Sequence, residues 1–288
     1  MAVVDDVRAY YEVNTSRFER FGQGGGTIHR AVWGKSVKSR AEAFRHVDEL
    51  VWLELEPFTR EGDATHVLDL GCGVGASLAF LASRADIRAT GATLSGVQAA
   101  RARERARHAA LEPRVAFIEA NFLGLPSSVP KAHLAFSIEA FVHGPDPRAY
   151  FEAASRYLFP GGLLIVCDDF LTQAGKSAAP AGARRCLDDV RTGWLANTLV
   201  TADEATELAA SAGFERRKNL DLTPFLELAR PRDRLITALV TLGRPFPLRG
   251  FAWRSIVGGS ALQKALTTGL LEYRFLVWQK RGSEHGVR

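Results

Sequence analysis

The sequence predicts an α/β fold built on a doubly wound, mostly parallel sheet, and three observations carry that expectation. Short apolar runs alternate with helical stretches from His66 to Cys167, the pattern of a sheet covered by helices on both faces. The first run, Val67-Leu68-Asp69-Leu70, leads straight into Gly71-Cys72-Gly73-Val74-Gly75, a strand that turns on glycines into a helix. The chain has 288 residues, 47% hydrophobic and 24% charged, an ordinary globular composition with enough length to bury a sizeable core.

Each element follows from the local pattern. Residues 1–20 read as a helix with Tyr10, Tyr11 and Phe18, and Gly22-Gln23-Gly24-Gly25-Gly26 is a flexible break. Residues 36–57 form an amphipathic helix, with Val37, Ala41, Phe44, Val47, Val51 and Leu55 three or four apart. His66–Leu70 is a buried strand. Ala76–Ser83 is a helix, Ile87–Leu94 a strand, Gly96–His108 a helix and Val115–Glu119 a strand. Leu134–Ile138 is the fourth strand, followed by the helix Pro147–Leu158, the turn Pro160-Gly161-Gly162 and the fifth strand Leu163–Cys167, with Asp168 and Asp169 after it. Thr201–Gly213 is a helix with Thr201 as cap and Glu204 three residues on, a capping box. Phe214–Leu222 and Glu272–Gln279 supply two more strands, making seven, and Pro231–Leu242 and Ser255–Gly269 are helical. Residues 1–57 are expected to form a helical lid on a core of residues 58–288, with helical insertions at about 170–200 and 223–270 over the carboxyl edge of the sheet.

Composition removes several functions. Three cysteines, Cys72, Cys167 and Cys186, make neither a disulfide framework nor a metal-binding pair. The seven histidines lack zinc-ligand spacing, so no metal is expected. No apolar run is long enough to span a membrane and the first residues do not form a secretory signal, so a cytoplasmic protein is expected. The net charge of +5 permits nucleic acid, an acidic surface or a phosphorylated substrate without selecting one. Arg101, Arg103, Glu104, Arg105 and Arg107 read as one solvated helix face.

The glycine turn carries the chemistry. Glycines let the backbone approach a ligand where a Cβ would collide. A glycine-rich turn also serves dinucleotides, but the carboxylate of Asp69 just before it repels a pyrophosphate and suits an ammonium group, as S-adenosylmethionine has. Four further segments stand in order behind it: Gly91-Ala92-Thr93-Leu94-Ser95-Gly96-Val97-Gln98, Ala120-Asn121-Phe122-Leu123-Gly124-Leu125-Pro126, Ser137-Ile138-Glu139-Ala140 and Arg156-Tyr157-Leu158-Phe159-Pro160-Gly161-Gly162. On these residues the sequence resembles the class I S-adenosylmethionine-dependent methyltransferases over roughly residues 60–170, and within them the sterol, tocopherol and cyclopropane-fatty-acid subgroup.

The resemblance implies a Rossmann-like domain with S-adenosylmethionine as cofactor and S-adenosylhomocysteine as product. It assigns the cofactor to Asp69, Gly71, Cys72, Gly73, Gly75, Thr93, Leu94, Gln98, Asn121, Phe122 and Ile138. Two positions depart from the usual pattern. Thr93 stands where most members have an acidic residue for the ribose, so ribose binding is weaker or shared with Gln98. Asn121 replaces an aspartate in the adenine turn, and its amide oxygen can still accept from the adenine amino group. Tyr11 stands where lid tyrosines approach the methionine end, and serves equally as a core aromatic.

The acceptor is less determined. An oxygen or nitrogen acceptor needs a general base. An alkene passes through a carbocation and needs a dry, aromatic-walled pocket and a nearby base. Glu139, His143 and His29 are the catalytic candidates; Glu139 serves equally to contact the cofactor or cap a helix, and His143 to satisfy a turn. Tyr10, Arg30, Trp33, Lys35, Phe141 and Asp169 are the substrate-binding candidates, with Arg30 and Lys35 facing an anionic head such as a diphosphate; the cluster serves equally as a solvated lid. The motifs of the ribose, amino-adenine, glutamine and cytosine-C5 methyltransferases are missing, so nucleic acid is not an expected partner. A small-molecule substrate is expected, with a homodimer left open. The expected activity is C-methylation of an isoprenoid or other electron-rich carbon in a natural product, as a prenyl diphosphate or prenylated compound. O- or N-methylation of a natural-product scaffold is the alternative. A cofactor-binding protein without methyl transfer, acting as a scaffold or in cyclisation, is a third reading.

Overall fold

The structure is a computed structural model and describes residues 2–21, 29–60, 65–177, 180–243 and 250–282. Along the chain, α1 (Ala2–Phe21) and α2 (Arg40–Leu55) precede β1 (His66–Leu70), α3 (Ala76–Arg84), β2 (Arg88–Thr93), α4 (Gly96–His108), β3 (Val115–Glu119), β4 (Ala132–Ile138), α5 (Pro147–Tyr157) and β5 (Leu158–Leu171). Then come α6 (Gln173–Lys176), α7 (Ala181–Gly193), α8 (Ala202–Ser211), β6 (Phe214–Asp221), α9 (Pro231–Gly243), α10 (Phe251–Thr267) and β7 (Leu271–Lys280). The glycine-rich segment 22–26 lies outside the described residues.

The seven strands form one sheet in the order β3-β2-β1-β4-β5-β7-β6. β1 to β5 pair in parallel, and β7 runs antiparallel to both of its neighbours. The expected Rossmann-like, seven-stranded, doubly wound sheet is therefore observed. Its strand order changes direction between β1 and β4, which opens a crevice at the carboxyl ends of those strands.

Strand alternation divides the core in two. Val67, Leu134, Ile165, Tyr273 and Phe275 join the apolar layer that includes Val47 and Val51 of α2, Leu78 and Leu81 of α3, and Leu187 and Val190 of α7. Leu68, Leu70, Leu164, Val166 and Trp278 point to the other layer, with Phe151 of α5 and Ala205 of α8. Caps set the helix starts. Ser39 accepts from the Glu42 amide, so α2 begins at Arg40 rather than at 36. Ser95 caps α4, Asp146 caps α5 ahead of Pro147, and Thr201 and Glu204 form the expected capping box of α8.

One sequence expectation needs correction here. β5 runs from Leu158 to Leu171, so Asp168 and Asp169 lie inside the strand, both buried; β7 pairs with this extension. The segment 170–200 contains two helices, α6 and α7.

Candidate active site

A cavity of about 590 Å³ opens above the carboxyl ends of β1, β2 and β4, within the ordinary range for small-molecule sites. One end is formed by the strand-to-helix turns: Gly71, Cys72 and Gly73 after β1, Thr93, Leu94 and Gln98 around the start of α4, Asn121 and Phe122 after β3, and Ile138 and Glu139 at the end of β4. The other end is formed by Trp194, Leu228 and Ile236 and by one face of α10. Between them stand Tyr10 and Tyr11 from α1 and His29 and Arg30 from the strip ahead of α2.

The glycine turn is close-packed. Gly71 has φ +123°, and a Cβ there would lie 2.3 Å from the Cβ of Ala140, so this corner holds glycine alone. Gly71 and Cys72 both donate their amides to the Ala92 carbonyl, at 3.0 and 2.9 Å, which turns the chain into α3. Thr93 donates to the side-chain oxygen of Gln98 at 2.7 Å, and Asn121 accepts from the Leu123 amide at 2.9 Å. The Asn121 oxygen thus shapes its own turn and keeps a second lone pair for a ligand.

Glu139 is held by both its backbone and its side chain. Its φ is +52°, a conformation that costs a non-glycine residue of order 1–3 kcal/mol and persists only where its surroundings over-determine it. Its amide donates to the Cys167 carbonyl at 2.9 Å. One carboxylate oxygen, Oε1, accepts from the Arg30 amide at 2.9 Å and from the Tyr273 hydroxyl at 3.0 Å, and Arg30 Nε lies 3.3 Å away. No described residue donates to Oε2. Burial pushes this carboxyl up, but the Arg30 guanidinium, His29, the Arg30 amide and the Tyr273 hydroxyl together hold it below the usual range, so it is ionised.

Arg30 is held from three sides. It makes two parallel hydrogen bonds to Asp169, at 2.8 and 2.6 Å, and its guanidinium sits 4.4 Å from the centre of the Tyr273 ring. Burial works against its charge, yet Asp169 and Glu139 outweigh it and raise the pKa well above the ordinary value. Asp169 and Tyr273 are register partners on β5 and β7. The strip carrying Arg30 is pinned by the Val32 amide on the Ala43 carbonyl and the Trp33 amide on the Phe225 carbonyl, at 2.9 and 2.7 Å.

His143 follows β4 on a short 3₁₀ turn, Phe141–His143. Its Nδ1 lies 3.0 Å from the Leu195 carbonyl and its Nε2 lies 2.8 Å from the Tyr11 hydroxyl. Burial lowers its pKa and outweighs the Leu195 carbonyl, so the ring is neutral. His29 contacts Ser77 through Nε2 at 3.0 Å.

The structure brings the three catalytic candidates Glu139, His143 and His29 to one cavity, with Tyr10, Tyr11, Arg30, Gly71, Cys72, Gly73, Thr93, Leu94, Gln98, Asn121, Phe122 and Ile138. Six other candidates are not in its lining. Asp69 shares a strand face with Val67, so it points under the turn toward α2; burial and then Asp48 push its carboxyl well up. Gly75 turns the chain into α3, where a Cβ would meet Phe117. Phe141 is buried against Tyr150, Phe151 and Phe170. Trp33 packs on Ala31, Ala43 and Phe44. Lys35 is exposed. Asp169 is buried behind Arg30 and holds it. With Arg30 engaged and Lys35 outside, the expected seat for an anionic head does not form from these residues.

Sequence reasoning missed Tyr273, and it named no site residue in the helical insertion at about 223–270 that supplies α9 and α10. Tyr273 becomes a site residue through the register of β7 against β5, which no local pattern reveals.

A family model described as a methyltransferase domain matches residues 67–162. The chain is 31% identical over 205 residues to 24-methylenesterol C-methyltransferase 2 of Oryza sativa subsp. japonica, covering 68% of this chain and 54% of that protein. It thus spans about half the length of that relative. It is 32% identical over 215 residues to methyltransferase GfsG of Streptomyces halstedii, covering 71% of this chain and 70% of that protein. Among solved structures, the [4+2]-cyclase SpnF superposes with a TM-score of 0.73 at 22% identity over 96% of both chains.

Proposed function

This chain belongs to the class I S-adenosylmethionine-dependent methyltransferases, and from that membership we propose that it methylates an electron-rich carbon of an isoprenoid or similarly apolar natural product. The residues fit the cofactor. Gly71 and Gly73 open the turn to the cavity, Leu94, Phe122 and Ile138 offer apolar walls to a nucleoside, and Thr93, Gln98 and Asn121 supply polar groups beside them. Glu139 puts negative charge at the same end, which suits a sulfonium and opposes a pyrophosphate. When bound, S-adenosylmethionine supplies an electrophilic methyl group on a positively charged sulfur.

The observation that carries the carbon reading is Glu139: an ionised carboxylate facing the cavity, with Oε1 fixed by Arg30 and Tyr273 and no described donor on Oε2. A new bond from an alkene carbon to methyl leaves the neighbouring carbon cationic. Glu139 offsets that positive charge, and its Oε2 accepts the proton whose loss restores the double bond. A carboxylate held below its usual pKa is strong enough for so acidic a proton, whereas it is a weak base toward an alcohol. The aromatic rings of Tyr10 and Tyr11 also line the cavity and can stabilise that cation. Arg30 already answers Asp169 and Glu139, so it is not a free seat for a diphosphate.

O- or N-methylation remains the second reading, favoured by the neutral imidazole of His143 in the cavity. That base is released once Tyr11 gives up its bond to Nε2. Incubation with methyl-deuterated S-adenosylmethionine and a panel of prenols, prenylated phenols, sterols and prenyl diphosphates tests the proposal. Label on an alkene carbon supports it. Label on oxygen or nitrogen alone moves the reaction to His143, and cofactor binding without any labelled product supports the reading without methyl transfer.

A further inference from the structure

α10 turns one face to the cavity, on which Ala252, Ser255, Ile256, Gly259, Ser260 and Gln263 recur at three- and four-residue spacing. Two of its polar side chains have partners. Ser255 is hydrogen-bonded to Tyr10. Ser260 lies 3.0 Å from the Thr237 hydroxyl, which itself donates to the Asp233 carbonyl, so Ser260 is the donor of that pair. Gln263 differs: its Oε1 is buried and has no hydrogen-bond partner among the described residues.

Other buried polar atoms in that condition belong to Trp33, Asp48, Arg274 and Trp278, none of which lines the cavity. Within the cavity, Arg30 Nε faces Glu139 and Tyr10 has Ser255. Gln263 is therefore the cavity's orphaned amide. A buried amide oxygen that exchanges water for nothing is unfavourable, and the natural relief is a donor on a bound molecule.

We propose that the methyl acceptor carries a hydroxyl group that hydrogen-bonds to the Gln263 amide, making Gln263 a specificity-determining residue at the polar end of an otherwise apolar acceptor. A hydroxyl is the matching group because it donates to the amide oxygen and can accept from the amide nitrogen. Gln263 lies eight residues beyond Ser255 on α10, roughly 12 Å along the helix axis. The handle is thus well removed from Tyr10, and the apolar body of the acceptor spans the distance along Trp194, Leu228, Ile236 and Ile256. This inference rests on the reading that the cavity takes an apolar acceptor, and it requires that the hydroxyl on Gln263 is not itself the atom methylated.

Matched alcohols and methyl ethers test it: geraniol, farnesol, geranylgeraniol and cholesterol, each against its own methyl ether. Binding is measured by calorimetry and by tryptophan fluorescence, with S-adenosylhomocysteine present and Trp194 as a reporter in the cavity wall. The alcohol of at least one pair is expected to bind about tenfold more tightly than its ether. Gln263→Leu should remove that difference, while Gln263→Glu, which keeps an acceptor oxygen, retains it. Equal binding of alcohol and ether in every pair overturns the proposal, using the wild-type protein alone. So does a preference that survives in Gln263→Leu, or a protein that binds S-adenosylhomocysteine but no member of any pair. Methyl transfer to the single oxygen of any of these alcohols places that oxygen at the cofactor instead of at Gln263 and overturns the proposal, whereas methyl transfer to a nitrogen of another acceptor, with the alcohol preference intact, overturns the carbon reading alone.

Discussion

The Tyr11 hydroxyl donates to Nε2 of His143. The direction of that bond follows from the far side of the ring: Nδ1 lies 3.0 Å from the Leu195 carbonyl, which can only accept, so Nδ1 carries the proton and Nε2 offers a lone pair to Tyr11, 2.8 Å away. His143 thereby ties α1 to the turn after β4, across the mouth of the cavity. His143→Phe keeps the ring and removes the tie. S-adenosylhomocysteine should then bind about tenfold more weakly, roughly 1.4 kcal/mol, as read by calorimetry, and amide exchange in α1 should quicken.

The burial of His143 also sets a pH dependence. Burial keeps the His143 pKa below the free imidazole value of about 6.5, so the folded protein prefers the neutral ring. The unfolded chain takes up that proton first as pH falls. Stability is fully present above about pH 6.5 and declines from there toward the folded-state pKa. Thermal unfolding monitored between pH 8 and 5 should show this decline in the wild type and a flatter profile in His143→Phe.

Arg30 holds two carboxylates that would otherwise face one another. Arg30→Met leaves Glu139 and Asp169 buried without their cation, and breaking such a cluster costs about 3–5 kcal/mol. In the variant, burial is left to raise the Glu139 carboxyl above its unfolded value, so stability is greatest when that group is protonated and is lost as pH rises through its folded value. Denaturant melts should show a large deficit at pH 8 that narrows at pH 5. An equal deficit at both would mean that packing on Tyr273, rather than charge, is the role of Arg30.

At the glycine turn, Gly71→Ala combines a left-handed backbone with a Cβ placed 2.3 Å from Ala140. The expected loss is about 2 kcal/mol or more, with S-adenosylhomocysteine binding weakened well beyond what the stability change explains. A melting temperature and a binding isotherm on the same preparation separate the two effects.

How far the sequence reveals this site depends on the range of the forces involved. The glycine turn, the parallel strands and the Thr201–Glu204 cap are set by residues close in sequence, and each stands where its pattern places it. Glu139 and His143 are also legible, because the end of a central parallel strand is where ligands bind. The arrangement around them is not. Tyr273 meets Glu139 across 134 positions, and Arg30 meets Asp169 across 139, through a strand register that no local pattern encodes. Arg30 and Lys35 read alike as free cations in sequence, yet one is locked between carboxylates and the other is exposed. Asp69 sits in a motif that marks the cofactor, but its side chain is buried below the turn and does not line the cavity.

The most direct test of the account is Glu139→Gln, measured in two ways on one preparation. The substitution keeps the size of the side chain and an oxygen for Arg30 and Tyr273, and removes the charge and the proton acceptor. The account predicts S-adenosylhomocysteine affinity within a few-fold of wild type and methyl transfer to carbon reduced by at least about a hundredfold, the ordinary weight of a general base. Methyl transfer at the wild-type rate in that variant would contradict it and remove Glu139 as the base.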